Sequence, residues 1–266
     1  MRAIAVDWSG ATHTARSHIW LAEAISPSEL VRLECGRDRD DLCSHLQSLP
    51  SQGLVIGLDF AFSFPAWFVR SLGLQTANEL WAHAVQHGDS WLAQCEPPFW
   101  GRPGHPRPPE LQPALRRTDR AVPRTGGIAP KSIFQIGGAG AVGTGSIRGM
   151  PLLHAFASAA ASIWPFMVGS EPRLVEIYPR LMTGPVHKSN PAQRAALLAR
   201  RFPDLAPEHA RLAEASEDAF DAAVSALVMM EHVSDLLALP EEVDPTLRLE
   251  GRIWHPRWRD DICFRC

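Results

Sequence analysis

Five carboxylates stand where packing alone would not put them: Asp7, Asp59, Glu176, Asp218 and Asp221. Asp7 lies near the end of the apolar run AIAVDW, Asp59 near the end of LVIGLDF, and Glu176 near the end of RLVEIY. Short apolar runs of this kind read as buried strands. Asp218 and Asp221, three apart in EDAFDAAVSAL, share one face of an expected helix. Asp suits neither strand nor helix interiors, and a buried carboxylate is costly unless it is paired or metal-bound. Several acids with few cations nearby would repel one another. A divalent ion removes that repulsion, and hard oxygen donors suit Mg²⁺ or Mn²⁺. Two such ions about 3.5–4 Å apart can stabilise both the attacking and the leaving oxygen of phosphodiester hydrolysis. Structural roles compete with this chemistry. Asp7 could cap the turn before Gly10, Asp59 the turn toward Pro65, and Asp218 could favour a helix dipole. Asp221, a turn further in beside Ala222, Ala223 and Val224, is harder to assign to a structural role.

The elements that must position these acids follow from periodicity and punctuation. After the strand at 3–8, HIWLAEAI (18–25) and residues 30–34 read as two more strands around Ser26-Pro27-Ser28. Residues 37–49 read as a helix and 54–60 as the next strand. Thr76-Ala-Asn-Glu79 is a capping box opening a helix to about Cys95. Residues 151–164 read as a small-residue helix and 173–178 as a strand. Asn190-Pro191 opens a helix to about Phe202, and Ser216 caps the helix 217–231. Three strands, a helix and a strand open an α/β domain with a mixed sheet.

In this order the motifs AVDWSG, VIGLDFAF, VEIYPR and EDAFDAAVSAL resemble the ribonuclease-H-like superfamily. More narrowly, they resemble the predicted nuclease family called domain of unknown function 429, as does PKSIFQIGGAGAVGTGSIRGM. The resemblance runs from Asp7 to about Met230. It implies a mixed five-stranded sheet flanked by helices, with metal-bound acids at its edge. By position Asp7 and Asp59 match the acids of the first and fourth strands. Asp221, with Asp218, matches the acids of the last helix, as in Holliday-junction resolvases. Glu176 matches a family-level acid outside that resolvase set. The expectation is a single domain, 1–266, hydrolysing phosphodiester bonds of nucleic acid. Asp7, Asp59 and Asp221 would hold Mg²⁺ or Mn²⁺ with carboxylates within about 8 Å of one another, and Asp218 and Glu176 would support catalysis.

Residues 97–150 read as a Pro/Gly-rich basic insertion. Nine of the 23 prolines fall in 97–130, where no periodicity survives. Residues 99–131 carry seven Arg or Lys and two acids, +5 against −8 for the rest of the chain. That imbalance calls for an anionic partner lying over the acids. Arg116, Arg117, Arg120, Arg124, Lys131 and Arg148 are the candidate substrate contacts. Gly138-Ala-Gly140-Ala-Val-Gly143 matches a dinucleotide fingerprint, but the first following acid, Glu171, comes 28 residues later. Gly145, Gly149 and Pro151 are also expected to break the helix the fingerprint requires. Residues 126–132 are no P-loop, because Pro130 sits where the last Gly is needed. Cys263-Phe-Arg-Cys266 is a lone CxxC without a second ligand pair, read as two free thiols. Trp residues such as Trp8, Trp67, Trp100 and Trp258 could stack on bases but more often pack cores.

At 266 residues, with 45% hydrophobic and 21% charged residues, the chain can bury a core, which excludes a wholly disordered or disulfide-scaffold protein. Five scattered cysteines point to reduced thiols. No signal peptide is read at the N-terminus, and residues 152–169 are too polar for a membrane span. The expectation is a soluble, cytoplasmic protein with no membrane partner. Two rival readings remain. One is a nucleotide-binding phosphotransferase of actin-like fold; the other is a non-enzymatic nucleic-acid-binding protein.

Overall fold

The computed structural model describes residues 1–110 and 112–256. The chain opens with β1 (Arg2–Asp7), α1 (Ala15–His18), β2 (Trp20–Ser26), β3 (Glu29–Glu34), α2 (Arg39–Ser48) and β4 (Leu54–Leu58). Helices α3 (Ala66–Ser71), α4 (Ala77–Gln94), α5 (Arg117–Ala121) and α6 (Gly143–Ser158) follow. Next come β5 (Ala161–Trp164), β6 (Ser170–Ile177), α7 (Arg180–Thr183), α8 (Pro191–Arg201) and α9 (Pro207–Ala215). The described chain finishes with α10 (Glu217–Glu231), α11 (Val233–Leu237), α12 (Leu247–Glu250) and β7 (Ile253–Trp254). The cysteines of the terminal CxxC and Trp258 lie outside the described residues.

Among the described residues, seven strands form one mixed sheet in the order β3-β2-β1-β4-β6-β5, with β7 also paired to β6. β1, β2 and β3 are antiparallel neighbours, whereas β1–β4, β4–β6, β5–β6 and β6–β7 pair in parallel. The fold is α/β, as expected, but the sheet is wider than the five strands anticipated: β5 and β7 extend it. The expected helix at 151–164 instead spans 143–158 and gives way to β5 after Ala160, which turns in a left-handed conformation (φ 58°). A run of small residues satisfies both periodicities, and pairing with β6 decides it. Gly145, Gly149 and Pro151 all lie inside α6, contrary to expectation. Packing overrides propensity here. A Cβ on Gly149 would stand 2.5 Å from the Phe60 ring, so the glycine is what lets α6 close on the sheet. Helix α9 was not anticipated at all.

Period-2 alternation sorts the sheet into two faces. Ile4, Val6, Ile56, Leu58 and Leu174 belong to one core, covered by α2, α4, α6 and the 97–150 segment. That segment is not a bare loop. Ile133, Phe134 and Ile136 are buried, and the Phe134 ring lies 5.4 Å from Phe64 and 5.2 Å from Phe68. Ala3, Ala5, Val55, Val175 and Ile177 belong to the other core, covered by α10 and its neighbours. Small residues there let α10 approach closely. A Cβ on Gly57 would meet the Met229 sulfur at 2.5 Å.

The anticipated caps are present. Thr76 and Glu79 form the reciprocal box of α4, Asn190 caps α8, and the Ser216 hydroxyl accepts from the Ala219 N–H at 3.2 Å to start α10. No helix among the described residues is long and apolar enough to cross a membrane.

Candidate functional site

The alternation that builds the cores also aims the acids. Asp7 ends β1 on the same face as Ala3 and Ala5. Asp59, one residue past β4, continues the ladder by donating its N–H to the Val6 carbonyl at 3.1 Å. It therefore follows Val55 and Gly57 onto that same face. Helix α10 covers this face and carries Asp221 one turn in from its start, buried at 4% exposure. Asp7, Asp59 and Asp221 thus converge from three elements. Asp218 borders them and is paired with His18 at 3.0 Å.

These carboxylates share little compensation. Burial, then Asp221, Asp59 and Asp218, push Asp7 well above the usual carboxylate range. Burial and Asp221 push Asp59 from 3.8 to about 8, and its carboxyl is within hydrogen-bonding reach of Asp7. Both acids therefore hold their protons more tightly than free carboxyls do, and they titrate together. Burial raises Asp221 as well, against the pull of Lys188. Lys188, in the loop between α7 and α8, gives its ammonium to Asp221 Oδ2. Asp221 Oδ1 is buried with no hydrogen-bond partner. Lys188 went unnoticed in the sequence because it lies in an aperiodic loop.

Glu176 stands on the other face of the sheet, near enough for its charge to act on Asp59 but not grouped with Asp7 and Asp221. In register with Leu58, it projects to the opposite face, where the Phe62 N–H donates to it at 2.9 Å. Arg116 grips it through two hydrogen bonds of 2.5 and 2.8 Å and also holds Asp119 at 2.8 Å. Burial works against the Arg116 charge, but Asp119 and Glu176 outweigh it and hold the guanidinium protonated. Burial raises Glu176 despite Arg116.

The candidate substrate contacts divide in the same way. Arg116 is buried at 1% exposure, so it serves this network rather than a surface. Arg117 is tied to Asp244 at 2.7 Å. Arg148 joins α6 to the loop after β1 through the Gly10 carbonyl and, at 2.9 Å, the Thr12 hydroxyl. Arg120, Arg124 and Lys131 remain exposed.

A cleft of about 510 Å³ opens at the carboxyl edge of β1, β4 and β6. Asp59 and Glu176 line it together with Lys131, Thr144, Gly145 and Tyr178. Part of the basic segment therefore borders the acids. Among the described residues, no group of three or more His, Cys, Asp or Glu side chains is arranged as a ready-made metal cage. Asp221 instead faces the Lys188 ammonium, and Asp7 and Asp59 are raised toward their protonated forms. The donor set is nevertheless of the right chemistry: three clustered carboxylates, one with an orphaned buried oxygen. Comparison of the chain with protein families, with curated proteins and with solved structures returned no match.

Proposed function

We propose that this protein is a divalent-metal-dependent nuclease of the ribonuclease-H-like kind that the sequence motifs resemble. The observation carrying this reading is the convergence of Asp7, Asp59 and Asp221 on one sheet face with an unpartnered oxygen on Asp221. In this reading β1 to β4 and β6 would correspond to the five strands of the resemblance, and β5 and β7 would be additions. Asp7, Asp59 and Asp221 would hold Mg²⁺ or Mn²⁺, and Asp218 would add charge at the rim. When bound, the ion would supply positive charge to the transition state of phosphodiester hydrolysis. The protein's own groups would do the rest. Asp7 and Asp59, both raised by burial, would have to release their protons to solvent to hold the cation as carboxylates. Lys131 at the cleft, with exposed Arg120 and Arg124, draws in the polyanion. Free Cys35, Cys43 and Cys95 suit a reducing compartment, in keeping with a cytoplasmic protein.

The phosphotransferase reading has one observation in its favour. Helix α6 does begin directly after the glycine-rich stretch and lines the same cleft. Residues 132–136, however, form no strand, as the dinucleotide fingerprint would need.

The test is incubation of end-labelled single-stranded, duplex and branched DNA and RNA with Mn²⁺ or Mg²⁺. Cleavage by wild type that is lost in Asp7→Asn and Asp59→Asn is expected. No cleavage of any substrate, or equal cleavage by the variants, would overturn the reading. ATP hydrolysis in its place would favour the phosphotransferase.

A further inference from the structure

The two oxygens of Asp221 have different surroundings. Oδ2 receives the Lys188 ammonium, whose charge also acts on Asp7 and Asp59, while Oδ1 has no partner. Lys188 is anchored by its backbone and not by its stem. Its carbonyl accepts from Arg194, a buried guanidinium fixed in turn on the Glu214 carbonyl at 3.0 Å. The Lys188 side chain is 22% exposed and also lines a separate cleft of about 230 Å³ with Arg180 and His187. Gly126 and Ile128 of the basic segment and Glu217 of α10 also line that cleft. A clamped backbone with a flexible four-carbon stem leaves the ammonium able to swing from Asp221 toward that cleft. An ammonium on Oδ2 and a divalent ion on the free Oδ1 of Asp221 repel each other, and in a half-buried site that repulsion is only weakly screened.

We infer that Lys188 is a tethered counter-ion that neutralises the carboxylate cluster when no divalent ion is bound. On metal binding it is displaced into the neighbouring cleft, where its charge is free for a phosphate of the nucleic acid. The inference rests on the nuclease reading above and adds a residue that sets metal affinity. Lys188 makes the metal-free protein more stable and metal binding weaker than the carboxylates alone would give.

The experiment is calorimetric titration of Mn²⁺ at low salt into wild type, Lys188→Met, Lys188→Gln and Lys188→Arg, with melting of each metal-free protein. Lys188→Met is expected to melt lower without metal yet bind Mn²⁺ about tenfold tighter, because no ammonium need be displaced. Lys188→Gln should behave alike and stands in if the Met variant does not fold. Lys188→Arg should return both properties toward wild type. A merely structural lysine would lower the melting temperature and leave Mn²⁺ affinity unchanged. That result, or weaker binding in both neutral variants, overturns the inference while leaving the nuclease reading intact. Absence of Mn²⁺ binding in wild type and variants alike overturns both.

Discussion

Two groups of buried acids lie a few residues apart at the same edge of one sheet, and they are compensated in opposite ways. On one face Glu176 and Asp119 share Arg116, and nearly every charged oxygen has a donor at 2.5–3.2 Å. On the other face Asp7, Asp59 and Asp221 share the Lys188 ammonium, Arg180 acts on Asp221 less strongly, and Asp221 Oδ1 has no partner. The first arrangement is what a fold needs to bury charge. The second leaves a buried carboxylate oxygen without a donor, which is what a cation-binding centre needs. The difference teaches that a buried acid becomes a candidate for function through what it lacks, not through burial itself.

The largest effect that would sharpen this contrast is on stability. Arg116→Met leaves Glu176 and Asp119 buried without their cation, and should cost about 3–5 kcal/mol by denaturant unfolding. A loss below about 1 kcal/mol would mean the two acid groups are not so different. The opposite is expected of Asp59→Asn, which keeps the shape and removes a carboxyl that burial and Asp221 penalise when it ionises. Without metal it should match wild type or gain about 1 kcal/mol.

A pH scan separates the groups next. In the unfolded chain Asp59 releases its proton near 3.8, whereas folded it holds it to about 8. Between those values the folded state binds more protons, so stability must fall as pH rises. The contribution is full below 3.8 and lost as pH passes 8. Metal-free wild type should therefore be less stable at pH 8 than at pH 5, and Asp59→Asn should show a shallower slope. Asp7 and Glu176, both raised by burial, keep some slope in that variant. A flat wild-type profile would break the comparison.

The smallest stability effect belongs to the exposed cations. Arg120→Ala with Arg124→Ala should change stability by no more than about 0.5 kcal/mol. If the pair contacts phosphate, it should still reduce the salt slope of duplex binding by up to about 0.9 per contact. An unchanged slope would leave these arginines as solvated surface.

Much of this was legible in the sequence, through local chemistry. Thr76 with Glu79, Asn190 with Pro191, and Ser216 mark helix starts by side chains that bond their own backbone, which needs no tertiary context. The alternation of Ala3, Ala5 and Asp7 against Ile4 and Val6 puts Asp7 on the α10 face. The same alternation, Val175 and Ile177 against Glu176, turns Glu176 to the other face, although its place near a strand end groups it with the site acids. Strand β5 and the course of α6 were not legible, because glycines and alanines gain their meaning from what packs on them. Phe60 against Gly149 is the plain case. Arg116 read as surface because a basic, proline-rich stretch gives no sign that one of its arginines meets buried acids brought in by β6 and α5.

The most direct test of the central claim is thermal melting of wild type, Asp7→Asn and Asp7→Ala near pH 7.5, with and without Mn²⁺. At a hundredfold excess over Kd, wild type should gain about 2.7 kcal/mol. For a chain of this size that is a rise of roughly 5–10 °C. Both variants should gain much less, and Asp7→Asn should melt no lower than wild type without metal. If Mn²⁺ moves none of the melts, or moves all three equally, the three acids are structural and the metal-centre account is wrong.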